Sequence, residues 1–131
     1  MSKPVLDVTV VTLEGKKSRL KALFDTGSYY SIIRSDVVPK GTVVPVFRKP
    51  EVLRTAGRTG TLSALGVVEL TFVIGKRMVR DGALVSPDLG RELLIGSKTM
   101  QAWGITVRNK GGKTRVHVGS DMRDPEITEV D

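Results

Sequence analysis

Ala22-Leu23-Phe24-Asp25-Thr26-Gly27-Ser28 carries an acid at the end of an apolar run and then turns the chain. The apolar residues read as the inner end of a strand, and Asp, Gly and Ser are turn formers, so the carboxylate is delivered at a strand-to-loop corner. After Tyr29 and Tyr30 the pattern resumes as a short strand, Ser31-Ile32-Ile33. Upstream, Val5, Val8, Val10 and Leu13 predict a strand that Glu14-Gly15-Lys16-Lys17 turns into a second, Arg19–Phe24, so a hairpin leads directly into Asp25.

Working outward, short β-rich runs separated by Gly and Pro dominate, which is an all-β signature. Pro39, Gly41, Pro45 and Pro50 predict a loop-rich connection over 39–50. Val52-Leu53-Arg54 enters the Gly- and Thr-rich stretch 55–61, which reads as a hairpin tip. Val67–Ile74 and Met78–Val85 flank Gly75-Lys76 as a further hairpin, and Leu93-Leu94-Ile95 is a buried strand. Ser97–Trp103 is the single helical stretch, with Met100 and Trp103 on its core side. Ile105–Val107 and Val116–Val118 alternate around Lys110-Gly111-Gly112-Lys113 as a last hairpin, with His117 facing solvent. Asp81-Gly82 and Asp88-Leu89-Gly90 read as turns.

The chain has 131 residues, enough for one domain over residues 1–120 followed by a mobile acidic tail, 121–131. Residues 1–120 carry 20 Lys and Arg against 9 Asp and Glu, whereas 121–131 carry one Arg against five acids. With no cysteine and one histidine, disulfides, thiolate chemistry and a His- or Cys-based zinc site are excluded. No apolar run has the length of a membrane span, and residues 1–13 alternate where a signal peptide is continuous, so the cytoplasm is the expected compartment.

A second motif agrees with the first. Leu94-Ile95-Gly96, followed by a helical stretch and Gly104-Ile105, stands downstream of Asp25-Thr26-Gly27-Ser28 with a Gly-rich segment between them. Together these resemble the retropepsin-like aspartic proteases over about 100 residues, from Val5 to about Val107. The resemblance implies a closed β-barrel or sandwich with a flap hairpin and one short helix, assembled as a C2 homodimer. It makes Asp25 the catalytic residue, with Thr26, Gly27 and Ser28 supporting its loop, and puts Thr55, Ala56 and Gly57 in the flap. Leu94 is a pocket wall by resemblance, and Ile33 a second by pattern alone. The implied substrate is a polypeptide, and neither a metal nor another cofactor is required.

Aspartic protease chemistry needs two carboxylates about 3 Å apart sharing a proton. This chain has one Asp-Thr-Gly and no Asp-Ser-Gly, so the second aspartate is expected from a second copy across a twofold axis. The Ser28 hydroxyl is a candidate donor to Asp25, and Ile105, Val107 and Val5 are expected to bury against the partner. The sequence departs from the family at Tyr29 and Tyr30, where viral relatives place acids, and at Ser97 and Lys98, where many members carry Arg or an acid. Two other readings stay open: a non-catalytic binding or scaffold domain on the same fold, and a small basic β-barrel that binds nucleic acid. The single Trp and two Tyr supply few stacking groups for the latter.

Overall fold

The computed structural model describes residues 4–54 and 60–124. Nine strands, one helix and one 3₁₀ turn are described. The strands are β1 (Val5–Thr12), β2 (Lys17–Phe24), β3 (Ile32–Arg34), β4 (Val46–Arg54), β5 (Thr61–Ile74), β6 (Arg77–Ser86), β7 (Leu93–Ile95), β8 (Ile105–Lys110) and β9 (Lys113–Val118), with α1 spanning Ser97–Trp103. No described helix is long and apolar enough to cross a membrane.

The principal sheet runs β1-β2-β7-β3-β6-β5-β4, and β1 also pairs with β5, so six strands close into a barrel with β4 attached outside it. Closure leaves those six strands with shared edges and buries their inner faces against one another. Val8, Val10, Leu20, Ala22 and Phe24 enter from the first hairpin, Val68, Leu70 and Phe72 from β5, and Val79, Ala83 and Val85 from β6. In each of these strands the core residues are an even number apart, two in every case but Val79 and Ala83, so they share one face as a half-buried strand requires.

The long strand β5 divides its partners. Its first half pairs with β4, from Arg54↔Thr61 to Val46↔Gly66, and its second half with β1, Thr12↔Leu70 to Thr9↔Val73. β4 and β5 therefore form a hairpin projecting from the barrel, placed where the flap was expected. Thr55, Ala56 and Gly57 lie outside the described residues. The loop expected over 39–50 is shorter than its prolines suggested, because β4 starts at Val46 and contains Pro50. Proline is tolerated there since β4 is the outer strand and its register shifts between Val46 and Glu51.

α1 occupies the predicted residues and ends at Gly104, whose φ of 62° is the left-handed cap that favours glycine. Met100 is buried, and Trp103 packs partly buried against the core. β8 and β9 form a separate two-stranded sheet joined by Gly111-Gly112, both with positive φ, the two-residue turn that matches strand twist. His117 is exposed as expected. Ile105, expected against a partner, is 5% exposed and belongs to its own chain's core, whereas Val5 stays 39% exposed.

Residues 121–124 of the acidic segment pack on the barrel. The Asp121 side chain is 1% exposed and accepts hydrogen bonds from the Met78 N–H (2.6 Å) and from the backbone and guanidinium of Arg123 (2.8 Å). The Arg123 hydrogen bonds, aided by those from the Met78 and Arg123 amides, hold its carboxyl well below the usual carboxylate range against the opposing effect of burial. Arg77 pairs with Asp124 at 3.1 Å, closing the clasp onto the β5–β6 corner.

Candidate active site

Asp25 follows directly on β2. In the sheet β7 lies between β2 and β3, parallel to the first and antiparallel to the second. Phe24 pairs with Ile95, and the Asp25 N–H donates to the Ile95 carbonyl at 3.0 Å, so β7 fixes the height at which Asp25 leaves the sheet.

The turn that follows is built from the carboxylate itself. Asp25 Oδ1 accepts the Gly27 N–H at 2.9 Å, and the Asp25 carbonyl accepts the Ser28 N–H at 3.2 Å. One carboxylate oxygen is thus tied to the turn in an Asx arrangement, which sets the side chain's direction. Asp25 is half-buried, and Thr26 and Gly27 are exposed at the corner. A Cβ on Gly27 would lie 3.1 Å from Asp25 Oδ1, so glycine keeps the approach to the carboxylate open.

The Ser28 hydroxyl does not serve Asp25 in this arrangement; its hydrogen is donated to the Tyr30 carbonyl at 2.9 Å, which braces the loop's second half. Tyr29 and Tyr30 expose 58% and 44% of their surface and meet edge to face, with centroids 5.0 Å apart. The Ser28 carbonyl takes the Ser97 N–H (2.7 Å) and the Tyr29 carbonyl takes the Lys98 N–H (2.9 Å). These are amides of the first turn of α1, which have no partner within a helix, and Gly96 supplies no side-chain cap. The Asp25 loop is therefore the cap of α1.

Of the two residues expected to line a pocket, Leu94 is half-buried on β7 in register with Leu23 and Ile32. Ile33 is fully buried in the barrel core and has no surface to offer a ligand in this chain. Its alternation with Ile32 cannot distinguish a core face from a cleft face, since both residues are buried. Asp81-Gly82, read as a turn, lies inside β6, with Leu70↔Asp81 and Glu69↔Gly82 in continuous register. Asp81 shares the face of Val79, Ala83 and Val85, and its carboxylate reaches Thr99 and Lys98 of α1. An acid at an inward position of an alternating strand was the available signal.

Two concave surfaces on the described residues lie away from Asp25. One of about 460 Å³ is bordered by Lys16, Arg19, Val38 and Lys40, the other of about 470 Å³ by Leu6, Ile74, Val116 and His117. No cluster of three or more His, Cys, Asp or Glu side chains among the described residues is placed to hold a metal ion.

No family model and no curated protein sequence matches the chain. Among solved structures, the retroviral protease-like domain of Ddi1 from Leishmania major superposes with a TM-score of 0.58 at 16% identity, over 89% of this chain and 95% of that one. EIAV protease in complex with the inhibitor HBY-793 superposes with a TM-score of 0.53 at 16% identity, over 77% and 88% respectively. The fold is retropepsin-like.

Proposed function

We propose that this chain is a homodimeric aspartic endopeptidase in which Asp25 from each of two copies forms the catalytic dyad. The observation that carries the proposal is the Asp25 turn. A half-buried Asp25 is anchored through one carboxylate oxygen to Gly27, held at its backbone by β7, and set at an exposed corner within the sequence's single Asp-Thr-Gly. That both fold neighbours carry a protease or protease-like designation supports the same chemistry.

In the dimer one carboxylate is ionised and the other protonated, because two like charges about 3 Å apart cannot both ionise. The ionised Asp25 accepts a proton from a water held between the carboxylates, and that water attacks the peptide carbonyl. The protonated Asp25 donates a hydrogen bond to the carbonyl oxygen and its proton follows as the tetrahedral intermediate forms. Collapse protonates the leaving amine and breaks the C–N bond. The peptide lies as an extended strand beneath the β4–β5 hairpin, with Leu94 as a candidate contact.

The test is cleavage of a diverse peptide library between pH 4 and 7, with wild type and Asp25→Asn compared and the mass of each measured in solution. Asn retains an oxygen for the Gly27 N–H, so the fold is expected to survive while cleavage falls at least about 1,000-fold. Equal cleavage by the two proteins refutes the proposal. A folded wild-type dimer that cleaves nothing returns the chain to the binding-domain reading, which the exposed Tyr29–Tyr30 pair suits.

A further inference from the structure

Beneath the Asp25 loop runs a chain of hydrogen bonds that the dyad does not use. Ser31 and Thr99 are 2% and 0% exposed, and their hydroxyl oxygens are 2.6 Å apart. Thr99 Oγ1 also lies 2.6 Å from Asp81 Oδ2, and the Gly96 N–H reaches Ser31 Oγ at 3.1 Å. The other Asp81 oxygen accepts the Gly82 N–H at 2.8 Å and Lys98 Nζ at 3.3 Å.

Chemistry fixes the direction of this chain. A carboxylate only accepts, so the single hydroxyl hydrogen of Thr99 goes to Asp81. Thr99 Oγ1 is then the acceptor for Ser31, whose own oxygen accepts from Gly96. The run is Gly96 N–H to Ser31 to Thr99 to Asp81, every donor pointing the same way and ending on a charge. Such chains polarise cooperatively, and without the terminal acceptor the buried Thr99 hydroxyl loses the acceptor for its hydrogen, and with it the reason for the chain's single direction.

The ends of the chain explain its use. Ser31 is the last residue of the Asp25 loop, its carbonyl held by the Leu84 N–H at 2.9 Å, and Gly96 is where that loop crosses the start of α1. Asp81 belongs to β6, on the barrel wall. We propose that Asp81, through Thr99 and Ser31, is a positioning residue that locks the Asp25 loop to the barrel in its reactive placement. This rests on the protease reading above. Asp81 touches no reacting atom; it sets where Asp25 stands.

Three measurements on the full chain test it: steady-state cleavage of a peptide selected from the library, thermal unfolding with dimer mass, and hydrogen exchange at the Ser97 and Lys98 amides. Thr99→Val keeps the shape and removes the hydroxyl, whereas Thr99→Ser keeps the hydroxyl. Thr99→Val and Asp81→Ala are expected to lower kcat by about 10- to 100-fold, with KM within about threefold of wild type. Exchange at Ser97 and Lys98 accelerates in both, and Thr99→Ser retains wild-type kcat and protection. A Thr99→Val protein with wild-type kcat and protection overturns the proposal, as does a loss that Thr99→Ser shares fully. Should Thr99→Val fail to fold, Ser31→Ala interrupts the same chain and is judged by the same outcomes. If wild type cleaves no peptide, the protease reading fails, and exchange alone decides the positioning role by the same Val-against-Ser contrast.

Discussion

Gly96→Ala is the most incisive perturbation of the site, because its effect is steric alone. Gly96 has φ −95° and ψ 177°, an extended conformation that alanine adopts without strain. A Cβ there would fall 2.4 Å from the Tyr30 carbonyl oxygen, 2.6 Å from its carbon and 2.7 Å from the Tyr29 oxygen. All three are backbone atoms, so no side chain can swing aside; the loop must retreat by about 1 Å to restore ordinary contact. That retreat pulls the Ser28 and Tyr29 carbonyls from the Ser97 and Lys98 amides, now at 2.7 and 2.9 Å. Two hydrogen bonds at about 1 kcal/mol each, with about 1–3 kcal/mol of overpacking, give a loss of about 3–5 kcal/mol. For a chain of this size the melting temperature falls by roughly 10–20 °C. Asp25 belongs to the displaced loop, so kcat falls about 100-fold in the protein that remains folded. The assay pairs calorimetry with cleavage kinetics well below the mutant's melting temperature, and Gly90→Ala, whose Cβ meets nothing within 4 Å, is the control. A Gly96→Ala protein that melts within about 2 °C of wild type and cleaves at the same rate refutes the claim that the loop is seated on α1.

Two further outcomes follow from the same geometry. At Gly66 a Cβ would lie 2.2 Å from the Pro45 carbonyl oxygen, which accepts the Val67 N–H at 3.2 Å, so Gly66→Ala should destabilise by about 2–4 kcal/mol. Denaturant unfolding measures that loss, and exchange should localise it to the root of β4. At the C-terminal clasp, Asp121 is depressed when folded, so its stabilisation is complete above the unfolded aspartate value of about 3.9. It declines as pH falls below that value and is lost once pH passes the depressed folded value. Asp121→Asn should therefore lower the melting temperature by a constant amount from pH 5 to 7, the gap closing only in stronger acid; a gap that opens in acid contradicts the clasp.

The strand–turn unit around Asp25 was legible because its determinants are local: three apolar residues, an Asx turn and a glycine in sequence order. α1 and the final hairpin were legible for the same reason, each bounded by its own glycines. What escaped depends on neighbours distant in sequence. Pro50 looks like a loop until β4 is known to be the outer strand, where a missing N–H leaves no ladder partner wanting. Asp81-Gly82 carries a turn signal that the full-length pairing of β5 with β6 overrides, and only Thr99, 18 residues on, shows what the carboxylate is for. Ile32 and Ile33 are both buried, so alternation along so short a strand carried no information about which face it turns to the core.

The two motifs that made the fold readable, about 70 residues apart, are physically one unit. β2 and β3 are consecutive in sequence but not neighbours in the sheet, since β7 lies between them. The loop that joins them, residues 25–31, must therefore pass over the end of β7 at the point where the chain leaves for α1. Two backbones crossing at that distance leave no room for a Cβ, which requires Gly96. The crossing loop brings carbonyls to the helix start, which satisfies amides that Gly96 cannot cap. It also ends beside Thr99, which carries the connection to Asp81 and the barrel wall. Asp25 is thereby held from β7, from α1 and through Ser31 from β6, three elements that meet only because the barrel is closed. A carboxylate on a loop normally trades precision for access; here the crossing supplies both, leaving the Asp25 corner exposed while its backbone is fixed at each end.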